Sequence, residues 1–165
     1  MKSLEEQMAT YSAYHQDARN RATHFAGVPI IILALFIPLA WLRIEPVSAG
    51  MVLAGVLVLY YLALDVALGL GMLVVFGVLL WAGERIAALG AVQGWAWFAV
   101  LFVGGWILQL VGHVYEGRRP ALVDNLFQIF VAPIFLCAEV FFALGYKPEL
   151  HSAVQQRAAG LRVGA

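Results

Sequence analysis

Three polar groups in this 165-residue chain hold side chains able to do chemistry. The first is Tyr11, Tyr14, His15, Asp17, Asn20 and His24, followed at once by Gly27 and Pro29. The second is Gln109, His113 and Glu116, leading into Gly117, Arg118, Arg119 and Pro120. The third is Asp124, Asn125, Gln128 and, three turns further, Glu139. Spacings of four and three put Gln109, His113 and Glu116 on one helical stripe, an arrangement that helical bundles use for metal ligands. In the first group Asn20 and His24 share a helical face, whereas His15 and His24 stand about 180° apart on a straight helix. A metal site using both imidazoles therefore requires a break between them, near Asn20 or Thr23. The lone Cys137 can form neither an intramolecular disulfide nor a thiolate cluster, so any metal here must use nitrogen and oxygen ligands.

Each group also has a plainer reading. The first can simply anchor an amphipathic helix at the membrane interface, and spacing alone leaves the two readings level. In the second, Glu116 can pair with Arg118 or Arg119 at the headgroups while His113 is merely interfacial. Polar groups at membrane depth are costly without partners, which weighs towards function there. For Glu139 a hydrogen bond to a neighbouring helix is the favoured account. His151 stands alone past the last apolar stretch and reads as a solvated surface residue.

The elements that position these residues belong in a bilayer. Hydrophobic residues make up 63% of the chain and charged ones 12%, against roughly 25% charged in soluble domains. An 18.0 kDa globule has too little interior for that apolar surface, so the excess must face lipid. A formal net charge of zero gives no basic field for nucleic acid. Five uncharged stretches, Phe25 to Leu42, Val47 to Leu64, Val66 to Gly83, Trp95 to Gly112 and Leu126 to Tyr146, are each long enough to cross roughly 30 Å of hydrocarbon, the last interrupted by Glu139. One helix from Met51 to Ala82 would run about 48 Å, so a turn near Asp65 is expected.

Ahead of these stretches, Leu4, Met8, Tyr11, His15, Ala18, Ala22 and Phe25 line one face of a helix on the membrane surface. Residues 1–26 lack the apolar core of a signal peptide and are expected in the mature protein. The expectation is an all-α polytopic membrane helix bundle, with about five transmembrane helices plus an N-terminal amphipathic helix. It forms one domain, 1–165: amphipathic segment 1–24, bundle 25–146 and polar tail 147–165. Four crossings return the Glu116–Pro120 loop to the side of the N-terminal helix, so His15, His24 and His113 share one face. Five Lys and Arg residues fall on each side, counting Lys147, Arg157 and Arg162 opposite the histidines, and the positive-inside rule then sets no orientation.

The string Tyr11-Ser12-x-Tyr14-His15 with Asn20, His24, Gly27 and Pro29, paired with Gln109-x-x-Gly112-His113 and Glu116-x-Arg118-x-Pro120-Ala121-Leu122, resembles the 2-hydroxy fatty acid dioxygenase family of small membrane proteins. The resemblance implies an iron(II)-dependent enzyme that shortens 2-hydroxy fatty acids by one carbon with O2. It implies residence in the endoplasmic reticulum for eukaryotic members, and in the inner membrane for a chain of bacterial character. Carried over by motif, His15, His24 and His113 are the iron ligands, and Glu116 is a fourth ligand or a base orienting an imidazole. Tyr11 and Asn20 join Glu116 as catalytic candidates; Arg118, Arg119, Gln109 and Asn125 are the substrate-binding ones. Fe(II) is the implied cofactor, although ligand type alone also suits zinc. Competing classes are a bis-histidine haem b protein and a transporter or structural membrane protein. Histidines gathered at one face suit a compact metal site better than a mid-bilayer haem.

Overall fold

The computed structural model describes residues 3–117 and 126–163. Among these the order is α1 (Leu4–Ala13), α2 (Ala18–Trp41), β1 (Arg43–Ile44), β2 (Val47–Ser48), α3 (Ala49–Leu64), α4 (Val66–Ala87), α5 (Ala91–Glu116), α6 (Gln128–Ala143) and α7 (Pro148–Val163). The fold is an all-α helical membrane bundle, with one departure. The two-residue strands β1 and β2 pair antiparallel across Glu45 and Pro46. Helices α2, α4 and α5 are long and apolar enough to cross a membrane, whereas α3 and α6 have sixteen residues each, or about 24 Å. Leu59, Val74 and Val100 stand about two-thirds exposed on the outer helix faces, the surface that lipid covers.

The ends of the helices are written in their caps. Ser3 and Glu6 form a reciprocal capping box that starts α1. The carboxylate of Asp17 accepts from the Arg19 N–H at 2.8 Å and starts α2. The expected turn at Asp65 is present: this residue ends α3 in an extended conformation, and its carboxylate accepts from the Leu68 N–H at 3.0 Å to start α4. Gly117, at φ 68°, ends α5 directly after Glu116.

Two expectations about the N-terminal region are corrected. The break between His15 and His24 lies at Tyr14–Asp17, not at Asn20 or Thr23, because Asp17 caps α2 and leaves Asn20 and Thr23 inside it. The single apolar stripe from Leu4 to Phe25 does not exist as one face. Met8, Tyr11 and His15 are buried while Ala18, Ala22 and Phe25 are exposed, since the break turns the chain between the two halves. Instead of lying free on the surface, α1 packs on α7 and α6. Its Gln7 side-chain oxygen accepts from the Tyr60 hydroxyl at 2.7 Å, which ties it to the Asp65 end of α3.

The C-terminal segment is also corrected. It forms the docked helix α7, with Val154 and Ala158 buried and Arg157 paired with Glu5 of α1. The tail therefore lies beside α1, not opposite the histidines as the charge count assumed. His151 is not a free surface histidine: its ring stacks on Phe142 with centroids 4.6 Å apart.

The most extensive helix contact is α2 with α5, and glycines make it possible. A Cβ on Gly112 would lie 2.3 Å from Thr23 Oγ1 and 2.4 Å from Asn20 Oδ1; one on Gly105 would lie 2.6 Å from Ile31 Cγ1 and 3.2 Å from the Gly27 carbonyl oxygen. Close approach of this kind is how small residues assemble membrane helices. Gly112→Ala should therefore lower stability by about 1 to 3 kcal/mol through overpacking. Gly104→Ala, which meets nothing within 4 Å, should leave stability level or raise it by up to about 1 kcal/mol. Thermal unfolding of both variants in detergent checks the pair.

Candidate metal centre

The glycine-lined approach brings the second and first polar groups together. His24 comes from α2, His113 from α5 and His15 from the α1–α2 connection, and their ligand atoms all lie within 4.8 Å of one another. The ring centroids are separated by 4.6 Å for His15 and His24, 5.2 Å for His15 and His113, and 5.0 Å for His24 and His113. All three are buried, at 2%, 3% and 7% exposure.

Hydrogen bonds set the tautomers of two rings. His15 Nδ1 lies 2.7 Å from the Tyr11 carbonyl and His24 Nδ1 lies 2.9 Å from the Asn20 carbonyl. A carbonyl only accepts, so each Nδ1 carries the proton and each Nε2 keeps its lone pair. His113 Nδ1 is buried without a hydrogen-bond partner. Burial, with His24 adding in the same direction, pushes the His15 pKa down to about 3, so this imidazole is neutral. Neutral imidazoles with free lone pairs converging on one point, one of them carrying an orphaned nitrogen, fit a divalent metal. The Tyr11 ring stacks on His15 with centroids 3.9 Å apart and holds it in plane.

Glu116 sits one turn beyond His113, but its carboxylate is engaged elsewhere. It accepts from the Gln16 N–H at 3.0 Å, the Asp17 N–H at 2.8 Å and Asn20 Nδ2 at 3.1 Å. These are the donors exposed by the helix break, and the close group of ligand atoms consists of the three histidines. Arg21 closes the same break from the other side, donating from Nη1 to the Gln16 carbonyl at 2.8 Å and to the His15 carbonyl at 3.3 Å. Sequence reading missed Arg21 and Gln16, because no spacing rule marks a side chain that satisfies a break located only in three dimensions.

A cavity of about 230 Å³ opens from the histidines into the bundle. Gln109 and Gln128 line it together with the histidines, and the rest of its wall is mainly aliphatic and aromatic. Gln109 Nε2 and Gln128 Oε1 are buried without partners. Gln109 was expected at the site. Gln128, from the third polar group, lines the cavity, whereas Glu139 of the same group does not. Asn20 is fully buried, with its carbonyl accepting from His24 and its amide donating to Glu116. Arg118, Arg119 and Asn125, with Asp124 beside them, lie outside the described residues.

Fold and site together define a helical membrane protein with three histidines gathered at one end of the bundle and an apolar cavity leading away from them. The chain belongs to the 2-hydroxy-palmitic acid dioxygenase Mpo1-like family, whose profile matches residues 1–144. It is similar to the 2-hydroxy-palmitic acid dioxygenase MPO1 of Saccharomyces cerevisiae, at 34% identity over 157 residues, covering 92% of this chain and 87% of the yeast protein. No solved structure matches it.

The engagement of Glu116 makes a specific expectation. Glu116→Gln keeps one carbonyl oxygen but turns an N–H toward donors, loosening the turn that carries His15. Metal affinity should fall on the order of 10- to 100-fold with the helical fold retained, whereas His113→Ala should abolish binding. Metal titration followed by calorimetry, with circular dichroism as the fold control, distinguishes the two.

Proposed function

We propose that this chain is a non-haem iron(II) dioxygenase that shortens 2-hydroxy fatty acids by one carbon. The observation that carries the reading is the convergence of three buried imidazoles at the mouth of an apolar cavity. Family membership and the printed name of the yeast relative support the substrate class. His15, His24 and His113 would hold the metal, and a ferrous ion there would supply the redox chemistry that O2 requires and leave coordination positions open. The contacting rings leave no slot for a porphyrin plane, which supports a mononuclear ion over haem.

The reaction balances without a further reductant. A 2-hydroxy acid plus O2 gives the fatty acid one carbon shorter, CO2 and water: the C1–C2 bond breaks, the two carbons lose four electrons and O2 gains them. The side chains do the positioning. The Gln109 amide N–H donates to the substrate carboxylate, and the Gln128 amide oxygen accepts from the 2-hydroxyl, giving both orphaned groups partners. Asn20 and Glu116 hold the His15 turn, and Tyr11 fixes the His15 ring and forms part of the cavity wall. Arg118, Arg119 and Asn125 are proposed as further contacts of the carboxylate. The acyl chain occupies the cavity, which excludes water from the reacting carbons. The protein acts as a single membrane domain, in the inner membrane of a bacterial cell.

Anaerobically purified protein should contain iron, consume O2 with 2-hydroxypalmitate and release CO2 and pentadecanoate in equal amounts. His15→Ala, His24→Ala and His113→Ala should each lose both bound iron and O2 uptake. Absence of iron together with no O2 uptake would sink the reading, and a Soret band would replace it with haem.

A further inference from the structure

We propose that Phe36 and Phe76 set the length of acyl chain that the site accepts; this rests on the acyl-chain reading of the cavity. On α2 the lining residues are His24, Val28, Ile31, Ile32, Leu35 and Phe36, one helical face extending about 18 Å from the metal centre. That is near the extended length of a palmitoyl chain. Leu39, next on that face, packs into the core and lines nothing. Among the described residues α4 contributes one side chain to the wall, Phe76. It meets Phe36 edge to face, with centroids 6.1 Å apart and planes at 89°, and lies 6.0 Å from the Tyr61 ring. The α4 backbone packs against the base of Phe36, since a Cβ on Gly83 would lie 2.7 Å from the Phe36 Cβ. Two fully buried rings in edge-to-face contact make the end wall.

The test measures kcat/KM for a series of 2-hydroxy acids from laurate to behenate length in the wild type, Phe76→Ala and, should alanine prevent folding, Phe76→Leu. The smaller side chain should move the optimum to longer acids, with a relative gain of about tenfold or more at the new optimum. A ladder of unsubstituted fatty acids, read as thermal stabilisation, should give the same shift without turnover. Equal changes at every length in both assays would overturn the proposal. A wild type that turns over no 2-hydroxy acid but still ranks fatty acids by length would overturn the function while leaving the gauge standing.

A separate observation concerns α6. The Phe130 carbonyl accepts from the Tyr61 hydroxyl at 2.7 Å, Cys137 Sγ lies 3.9 Å from the Leu68 carbonyl, and Lys147 Nζ lies 2.6 Å from Asp65 Oδ2. All three partners lie within about one turn of Asp65, or roughly 6 Å along the axis. A helix crossing beside α4 would instead reach residues near its far end. We infer that α6 lies along the interface, that the chain crosses four times, and that the histidine face is cytoplasmic. Among the described residues Arg19, Arg21, Lys147 and Arg157 then stand on that face, while Arg43 and Arg85 are at the opposite end. The balance tied in the sequence becomes four to two among the described residues, and the positive-inside rule gives an orientation.

Single-cysteine variants in a Cys137→Ser background, treated with a membrane-impermeant maleimide on intact bacterial spheroplasts, test this. Glu45→Cys should label directly, and Glu5→Cys and Arg157→Cys only after permeabilisation. Labelling of Glu5→Cys and Arg157→Cys from opposite sides would restore a crossing α6, and labelling of both from outside would reverse the orientation.

Discussion

The close approach of α2 and α5 is the constraint on which the rest of the structure depends. Gly27, Gly105 and Gly112 remove side chains where the two backbones meet, and Thr23, Asn20 and His24 occupy the space that a Cβ on Gly112 would take. Without a hydrophobic drive between helices in lipid, such contact rests on van der Waals packing and on polar groups that find partners. Both are present here, and both fix the rotation of the helices about their axes. That rotation aims His24 and His113 at one another.

The third histidine depends on a different device. His15 lies outside both long helices, and the break that carries it exposes backbone N–H groups that membrane depth would penalise. Glu116 accepts two of them, and Arg21 satisfies carbonyls on the same turn. A carboxylate from the end of α5 thereby locks the start of α2 to its partner helix. The hydrogen-bond acceptor that orients each of two imidazoles is supplied instead by the backbone, the Tyr11 carbonyl for His15 and the Asn20 carbonyl for His24.

The cavity combines two environments that water would not keep together. Its wall carries three imidazoles and the unpaired amide groups of Gln109 and Gln128, and is otherwise lined mainly by aliphatic and aromatic side chains. A ligand with a polar head and a long apolar tail satisfies both at once. The same division explains why α1, α6 and α7 collect at one end of the bundle. They cover the polar end, with Tyr11 of α1 against Phe135 of α6 and Arg157 of α7 against Glu5 of α1.

Hydropathy and spacing by themselves determined the membrane class, the all-α fold, the turn at Asp65 and the sharing of one face by His15, His24 and His113. These depend on helix length and chain parity, which are local or additive properties. The motif residues were legible for the same reason: Gln109, His113 and Glu116 are one stripe of one helix. What only the tertiary structure decided was where partners meet. The break fell at Tyr14–Asp17 because its exposed donors find Glu116 some hundred residues away, which no local spacing contains. Gln128 became a cavity residue, and the tail joined the histidine face, because α6 and α7 pack against α3, α4 and α1. A sixteen-residue apolar helix reads alike in sequence whether it crosses a bilayer or lies along it. Its contacts with Tyr61, Leu68 and Asp65 are long-range, and such contacts exist only once the chain has folded.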